Sequence, residues 1–207
     1  MHKYFERWGL EFSESDMTRY DALRGAFESA RQEGRPIRAM YVEVLTNPLL
    51  KVSSVELVAR VAHEFGAFVI IDNTFVTPLN QQPIDLGAGI VVHSDIMAGV
   101  VVTNAPNLDE KLYFALNRGG ALAPQDANLL RRGLQTLALR LEHQTGEHPD
   151  HRVLAGRQPF VTHVNDPALS TSPYHELASR TLRGVGSVLS FELEDTVDPD
   201  DALRATA

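Results

Sequence analysis

The sequence predicts an α/β fold, a mostly parallel sheet sandwiched by helices, and three observations point to it. Two short apolar runs end abruptly in polar residues and a proline, within Tyr41-Val42-Glu43-Val44-Leu45-Thr46-Asn47-Pro48 and Val69-Ile70-Ile71-Asp72-Asn73-Thr74-Phe75-Val76-Thr77-Pro78. Strand-like runs alternate with amphipathic stretches of ordinary helix length, the mark of βαβ units. Helix start and stop signals, Ser53/Ser54 and Gly66, stand between those two runs. Ligands of open α/β sheets bind just past the carboxyl ends of the strands, so Asn47 and Asp72 are expected to meet a small molecule.

In chain order, residues 2–9 read as the end of a helix stopped at Gly9, followed by a short strand near Leu10 to Phe12. Asp16-Met17-Thr18 starts a helix from about Tyr20 to Arg31, with Leu23 and Phe27 on one face. Ile37 to Val42 reads as a buried strand, Val55 to Phe65 as a helix, and Phe68 to Ile71 as the next strand. Gln82 to Ala88 reads as a short helical turn, and Ile90 to Val92 and Val100 to Thr103 as strands. A parallel pair needs a dozen or more connecting residues. These last two strands are therefore expected to pair antiparallel or to merge into one irregular strand.

Asn107 to Phe114 is helical, and Ala123-Pro124 opens a long amphipathic helix that runs through Leu141. Past Gln144 the pattern collapses. Pro149, in Gly146-Glu147-His148-Pro149-Asp150-His151, lacks a donor and clashes with the preceding turn at a cost of about 3 kcal/mol, so no helix is expected there. Val161 to Val164, His175 to Leu182 and Ser187 to Leu193 read as strand, helix and strand. The expected division is a large domain over residues 1–145 and a smaller α+β domain over 146–207.

Composition excludes several classes. A chain of 207 residues, 43% hydrophobic, can bury one sizeable core. With a net charge of −8 and no basic block, nucleic acid is not an expected partner. No apolar run is long enough to span a bilayer, so no membrane is expected either. The N-terminus lacks the apolar core of a signal peptide. With no cysteine there is no disulfide framework and no thiol nucleophile, which suits the cytoplasm.

Several segments, in order, resemble the Cys/Met-metabolism enzymes that use pyridoxal phosphate, the cystathionine γ-synthase/γ-lyase and O-acetylhomoserine sulfhydrylase-like family. They are Tyr41-Val42-Glu43 with Thr46-Asn47-Pro48, Ala62-His63-Glu64-Phe65-Gly66-Ala67, Asp72-Asn73-Thr74-Phe75 with Pro78, and Leu130-Arg131-Arg132-Gly133-Leu134-Gln135-Thr136-Leu137. Pro173-Tyr174-His175-Glu176-Leu177 and Val188-Leu189-Ser190-Phe191-Glu192 continue the match. The resemblance implies the large domain of an aspartate-aminotransferase-like, fold type I enzyme, incomplete here, with a partial C-terminal domain. It also implies pyridoxal phosphate as cofactor, an amino-acid substrate such as cystathionine or an O-acylhomoserine, and a homo-oligomer.

The resemblance marks Asp72, Asn47, Ser94 and Thr74 as cofactor-binding positions. Asp72 would accept a hydrogen bond from the pyridine nitrogen and keep it protonated, making the ring a better electron sink. Asn47 would reach the phenolic oxygen, and Ser94 would survive as a phosphate-contacting serine. Taken without the resemblance, Asp72 also fits a turn cap and Asn47 before Pro48 a loop residue. Glu43 fits either a structural carboxylate or a site residue.

Departures from the family pattern are as telling. Val44-Leu45 stands where a proline usually precedes Ser/Thr-Asn-Pro. Val91-Val92-His93-Ser94 runs straight into Asp95-Ile96-Met97-Ala98-Gly99-Val100, where the family has two His-Ser copies with the cofactor-binding lysine between them. The lysines are Lys3, Lys51 and Lys111, none at the corresponding position. Without an activated amine, Schiff-base chemistry lacks its nucleophile. The chain is further expected to start after the family's phosphate loop and to end before its carboxylate-clamping arginine. Binding of the cofactor is accordingly expected to be weak or lost, and no catalytic residue is assigned.

Two other chemistries are weaker. His143, His148 and His151 with Asp150 could offer two metal ligands, but no Glu-flanked helical motif or cysteine accompanies them, and a solvated loop is the expected state. Ser/His/Asp catalysis has no Gly-x-Ser-x-Gly elbow. Two functional classes follow. One is a catalytically impaired transsulfuration enzyme performing γ-elimination or γ-replacement by descent. The other is a non-catalytic paralogue serving as an oligomerisation or interaction module, or a defunct gene product.

Overall fold

A computed structural model describes residues 9–95, 98–118, 120–200 and 202 of the chain. Helix α1 spans Tyr20–Gln32. It follows a turn in which Asp16 Oδ1 accepts from the Thr18 amide and hydroxyl, and it buries Leu23 and Phe27 at i, i+4 spacing. Strand β1 is Ala39–Glu43. Helix α2, Val55–Glu64, is capped by the Ser54 hydroxyl, which accepts from the Leu57 amide. Strand β2, Phe68–Asp72, follows Gly66, whose φ of +71° ends the helix.

A short α3, Thr77–Asn80, and a 3₁₀ turn, Pro83–Leu86, lead to β3, Ile90–Asp95, and β4, Ala98–Val102. Then come α4, Pro106–Leu116, α5, Pro124–Gln135, and α6, Leu137–Gly156. Strand β5, Val161–Asn165, helix α7, His175–Thr181, and strand β6, Ser190–Leu193, complete the order.

The main sheet has the order β1-β2-β3-β4. The β1–β2 pair is parallel from Ala39 opposite Phe68 to Glu43 opposite Asp72, and β2–β3 is parallel from Ile70 opposite Ile90 to Asp72 opposite Val92. The short link between β3 and β4 gives an antiparallel pair, as the spacing predicts, with Val91 opposite Val102 and Asp95 opposite Ala98. β5 and β6 form a separate antiparallel sheet with an irregularity between Val161 and His163.

Period-two alternation sets the core. Met40, Val42, Val69, Ile71 and Val91 are buried, against Leu23, Phe27, Val55, Val58, Ala59 and Ala62 of α1 and α2. The Phe27 and Phe65 rings stack at 5.1 Å. Ala178 of α7 and Leu182 join the same cluster, with Tyr174, Leu177, Val185 and Val188 packed against it. The other face of the sheet carries Tyr41, Glu43, Ile70 and Asp72, since directly opposed residues point to the same side.

Several sequence expectations are corrected. Leu10 to Phe12 belongs to neither sheet; both side chains are largely exposed, so burial does not reward pairing. The long helix divides at Thr136. The Gly133 carbonyl accepts from the Thr136 amide and hydroxyl and from the Arg140 guanidinium, which closes α5 locally. The expected loop over Gly146 to His151 is helical, because α6 continues to Gly156. The local cost of Pro149 is opposed by anchors on either side of it, the buried Leu141 and the 3.2 Å ion pair of Arg152 Nε with the buried Asp166. The expected helix over residues 2–9 falls outside the described residues, apart from Gly9.

Candidate functional site

The strand register brings three chain segments to one edge. Glu43 opposes Asp72, which opposes Val92, so β1, β2 and β3 deliver their following loops to the same end of the sheet. The ladder continues past the strands: the Val44 amide donates to the Asp72 carbonyl and the Asn73 amide to the Val92 carbonyl. The polar residues there are held by a scaffold rather than by mobile loops.

Asp72 is the centre of the cluster. Its Oδ1 accepts from the Thr74 amide at 3.0 Å, the side-chain turn that Asp favours after a strand. Thr74 Oγ1 in turn accepts from the Ser94 amide at 3.0 Å, joining β3 to the turn. Asp72 Oδ2 accepts from the Tyr41 hydroxyl at 2.5 Å. Asn47 stands on the loop after β1, and its amide donates to Glu43 Oε2 at 3.0 Å. Asp72, Thr74 and Ser94 thus form one hydrogen-bonded chain, while Asn47 joins through Glu43, the register partner of Asp72. Asn73 points inward, fully buried, and its side-chain amide donates to the Gln81 carbonyl at 3.1 Å.

Two participants were not legible as site residues. Burial and then the hydrogen bond to Asp72, with the charges of Asp72 and Glu43, push the Tyr41 phenol above its ordinary value. Burial lowers the His93 imidazole, against the opposing pull of Asp72 and a hydrogen bond with the Asn73 backbone. Tyr41 lies two residues before Glu43, hence on the same face; placing it beside Asp72 needs the β1–β2 register, which no local motif encodes.

A carboxylate at the carboxyl edge of a parallel sheet, with donors ordered around it, defines an α/β scaffold for a small polar ligand. The match of residues 1–206 to the Cys/Met metabolism PLP-dependent enzymes makes the family plain: the chain belongs to it. It is 36% identical to a cystathionine beta-lyase of Lactococcus lactis over 205 residues, covering 94% of this chain and 52% of the relative. It is 38% identical to a cystathionine gamma-lyase of Bacillus subtilis, covering 96% of this chain and 54% of that one. The solved structure of cystathionine gamma-lyase from Lactobacillus plantarum, complexed with L-serine, superposes with a TM-score of 0.86 at 32% identity, over 96% of this chain and 53% of that one. The chain therefore spans about half the length of the curated relatives it matches. Its fold is the aspartate-aminotransferase-like, fold type I architecture of this pyridoxal-phosphate-dependent family.

The fit to that cofactor is divided. The Asp72 carboxylate is the group that suits the protonated nitrogen of a pyridine ring. An amine for covalent attachment is not among them. Of the described lysines, Lys51 lies in the loop after β1 with its ammonium 3.9 Å from Asp16 Oδ2. Lys111 sits on α4, which follows β4 at the opposite end of the sheet, where the Thr103 hydroxyl donates to the Gly89 carbonyl. Among the described residues, then, no amine completes a site for the covalently held group.

Among the described residues no three His, Cys, Asp or Glu side chains could hold a metal; those of His148, Asp150 and His151 are outside that description. Among the described residues, too, no helix is long and apolar enough to cross a membrane.

Proposed function

We propose that this chain is a transsulfuration-type family member, by descent directed at γ-elimination or γ-replacement on cystathionine or an O-acylhomoserine, and catalytically impaired. The observation that carries the reading is the hydrogen-bonded chain Asp72–Thr74–Ser94 at the sheet edge, with no described lysine directed at it. Asp72 faces the ring nitrogen, Asn47 the phenolic oxygen and Ser94 the phosphate, with Thr74 holding Asp72 and Ser94 in register. An amino-acid ligand is in keeping with the L-serine of the Lactobacillus plantarum structure. Binding of the cofactor is weak for want of the amine. Residues 1–145 act as the cofactor domain and 146–207 as the smaller one, and the protein works in the cytoplasm. The test is release of α-keto acid or thiol from cystathionine and O-acetylhomoserine with excess pyridoxal phosphate. No turnover is expected; turnover that vanishes in Asp72→Ala overturns the impairment.

A second reading, a non-catalytic oligomerisation module, has its own support. Helices α4 and α5 bury no residue within this chain and expose Tyr113, Phe114, Leu129 and Leu134. An apolar helix face is stabilised only by packing on something. Self-association is expected at micromolar concentration in sedimentation, and a clean monomer counts against both the module and a homo-oligomer.

A further inference from the structure

We propose that the Tyr41 hydroxyl is an internal occupant of Asp72: it fills from within the chain the acceptor position that a protonated nitrogen heterocycle would take. Such a ring must displace the phenol before it can bind. The inference rests on the reading of Asp72 as the ring-facing carboxylate, and adds to it a reason for weak binding that is separate from the missing amine.

Both carboxylate oxygens already have donors, Oδ1 the Thr74 amide and Oδ2 the Tyr41 hydroxyl. The Thr74 contact is part of the turn and remains whatever binds. The Tyr41 contact joins side chains diagonally across adjacent strands, two register positions apart, with Tyr41 opposite Ile70 and Glu43 opposite Asp72. The phenol lies on the open face of the sheet, and the residue is 47% exposed. Its hydroxyl is nevertheless turned to the carboxylate at 2.5 Å. A bond to a charged acceptor is the strong kind, and it is what directs an otherwise half-solvated ring. Because the phenol is held above its ordinary value, it remains a donor throughout the neutral range. A flat heterocycle reaching Oδ2 competes with both that donor and the ring that carries it.

The probe is pyridoxine 5′-phosphate, which keeps the ring nitrogen but has no aldehyde to react with amines. Calorimetric titration of the wild type and of Tyr41→Phe is expected to show the variant binding about fivefold tighter or more. Asp72→Asn should abolish the difference. Equal affinity in wild type and Tyr41→Phe overturns the inference and leaves the ring-facing role of Asp72 standing. Binding by neither, or binding indifferent to Asp72→Asn, overturns that role and the inference with it. An arm without ligand follows the phenol by ultraviolet titration, assigned by difference from Tyr41→Phe. Tyr41 should ionise at lower pH in Asp72→Asn, and an unchanged titration shows that the two side chains are not joined.

Discussion

The Ser190 hydroxyl donates a hydrogen bond to the Pro48 carbonyl at 2.6 Å, tying the second sheet to the loop that carries Asn47. Glu43 holds the same loop from the other side through the Asn47 amide. The candidate site is therefore clamped by residues far apart in sequence. Ser190→Ala is expected to cost about 1 kcal/mol of stability by denaturant unfolding and to speed amide exchange in the Asn47 loop. Unchanged exchange there would show that the clamp is incidental.

The close approach of Gly186 to the turn after β2 fixes a second expectation. Its φ is +80°, and a Cβ would lie 2.2 Å from the Phe75 carbonyl oxygen. Backbone meets backbone, so neither partner can swing aside. Gly186→Ala is expected to destabilise the protein by about 3 kcal/mol, read from the denaturant midpoint at unchanged slope. A loss below about 1 kcal/mol would mean that the 183–188 segment docks differently.

The pH dependence follows from His93. Burial lowers its folded-state value below the ordinary imidazole value near 6.5, so the fold favours the neutral ring. The sign is that of a base depressed on folding. Its contribution is complete above about pH 6.5 and is lost as pH falls through the lower folded value, because the unfolded chain then binds the extra proton. His93→Gln should flatten the acid limb of the stability profile relative to wild type. Parallel profiles would contradict the burial of the ring.

Legibility in the sequence follows the range of the forces involved. Strands β1 and β2 and helix α2 were readable because Ser54, Gly66 and the apolar runs act within a few residues. The antiparallel β3–β4 pair was readable for the same reason, since seven residues between Val92 and Val100 cannot make a crossover. Residues around Pro149 misled, because their helix is held by Leu141 and by Arg152 on Asp166, a contact made across the fold. Asp72, Thr74, Ser94 and Asn47 could be named from the family pattern, and their grouping rests on the parallel register. The pairing of Tyr41 with Asp72 was invisible, since one slip of that register turns Tyr41 to the other face.

The most direct test is borohydride reduction of the chain after incubation with pyridoxal phosphate, with mass-spectrometric mapping of the modified lysines. The expected result is sparse labelling of Lys3, Lys51 and Lys111, at levels unchanged in Asp72→Ala, because neither described lysine is held where Asp72 would face the ring. Stoichiometric labelling of a single lysine, lost in Asp72→Ala, would contradict the account: it would show that the chain supplies its own attachment point.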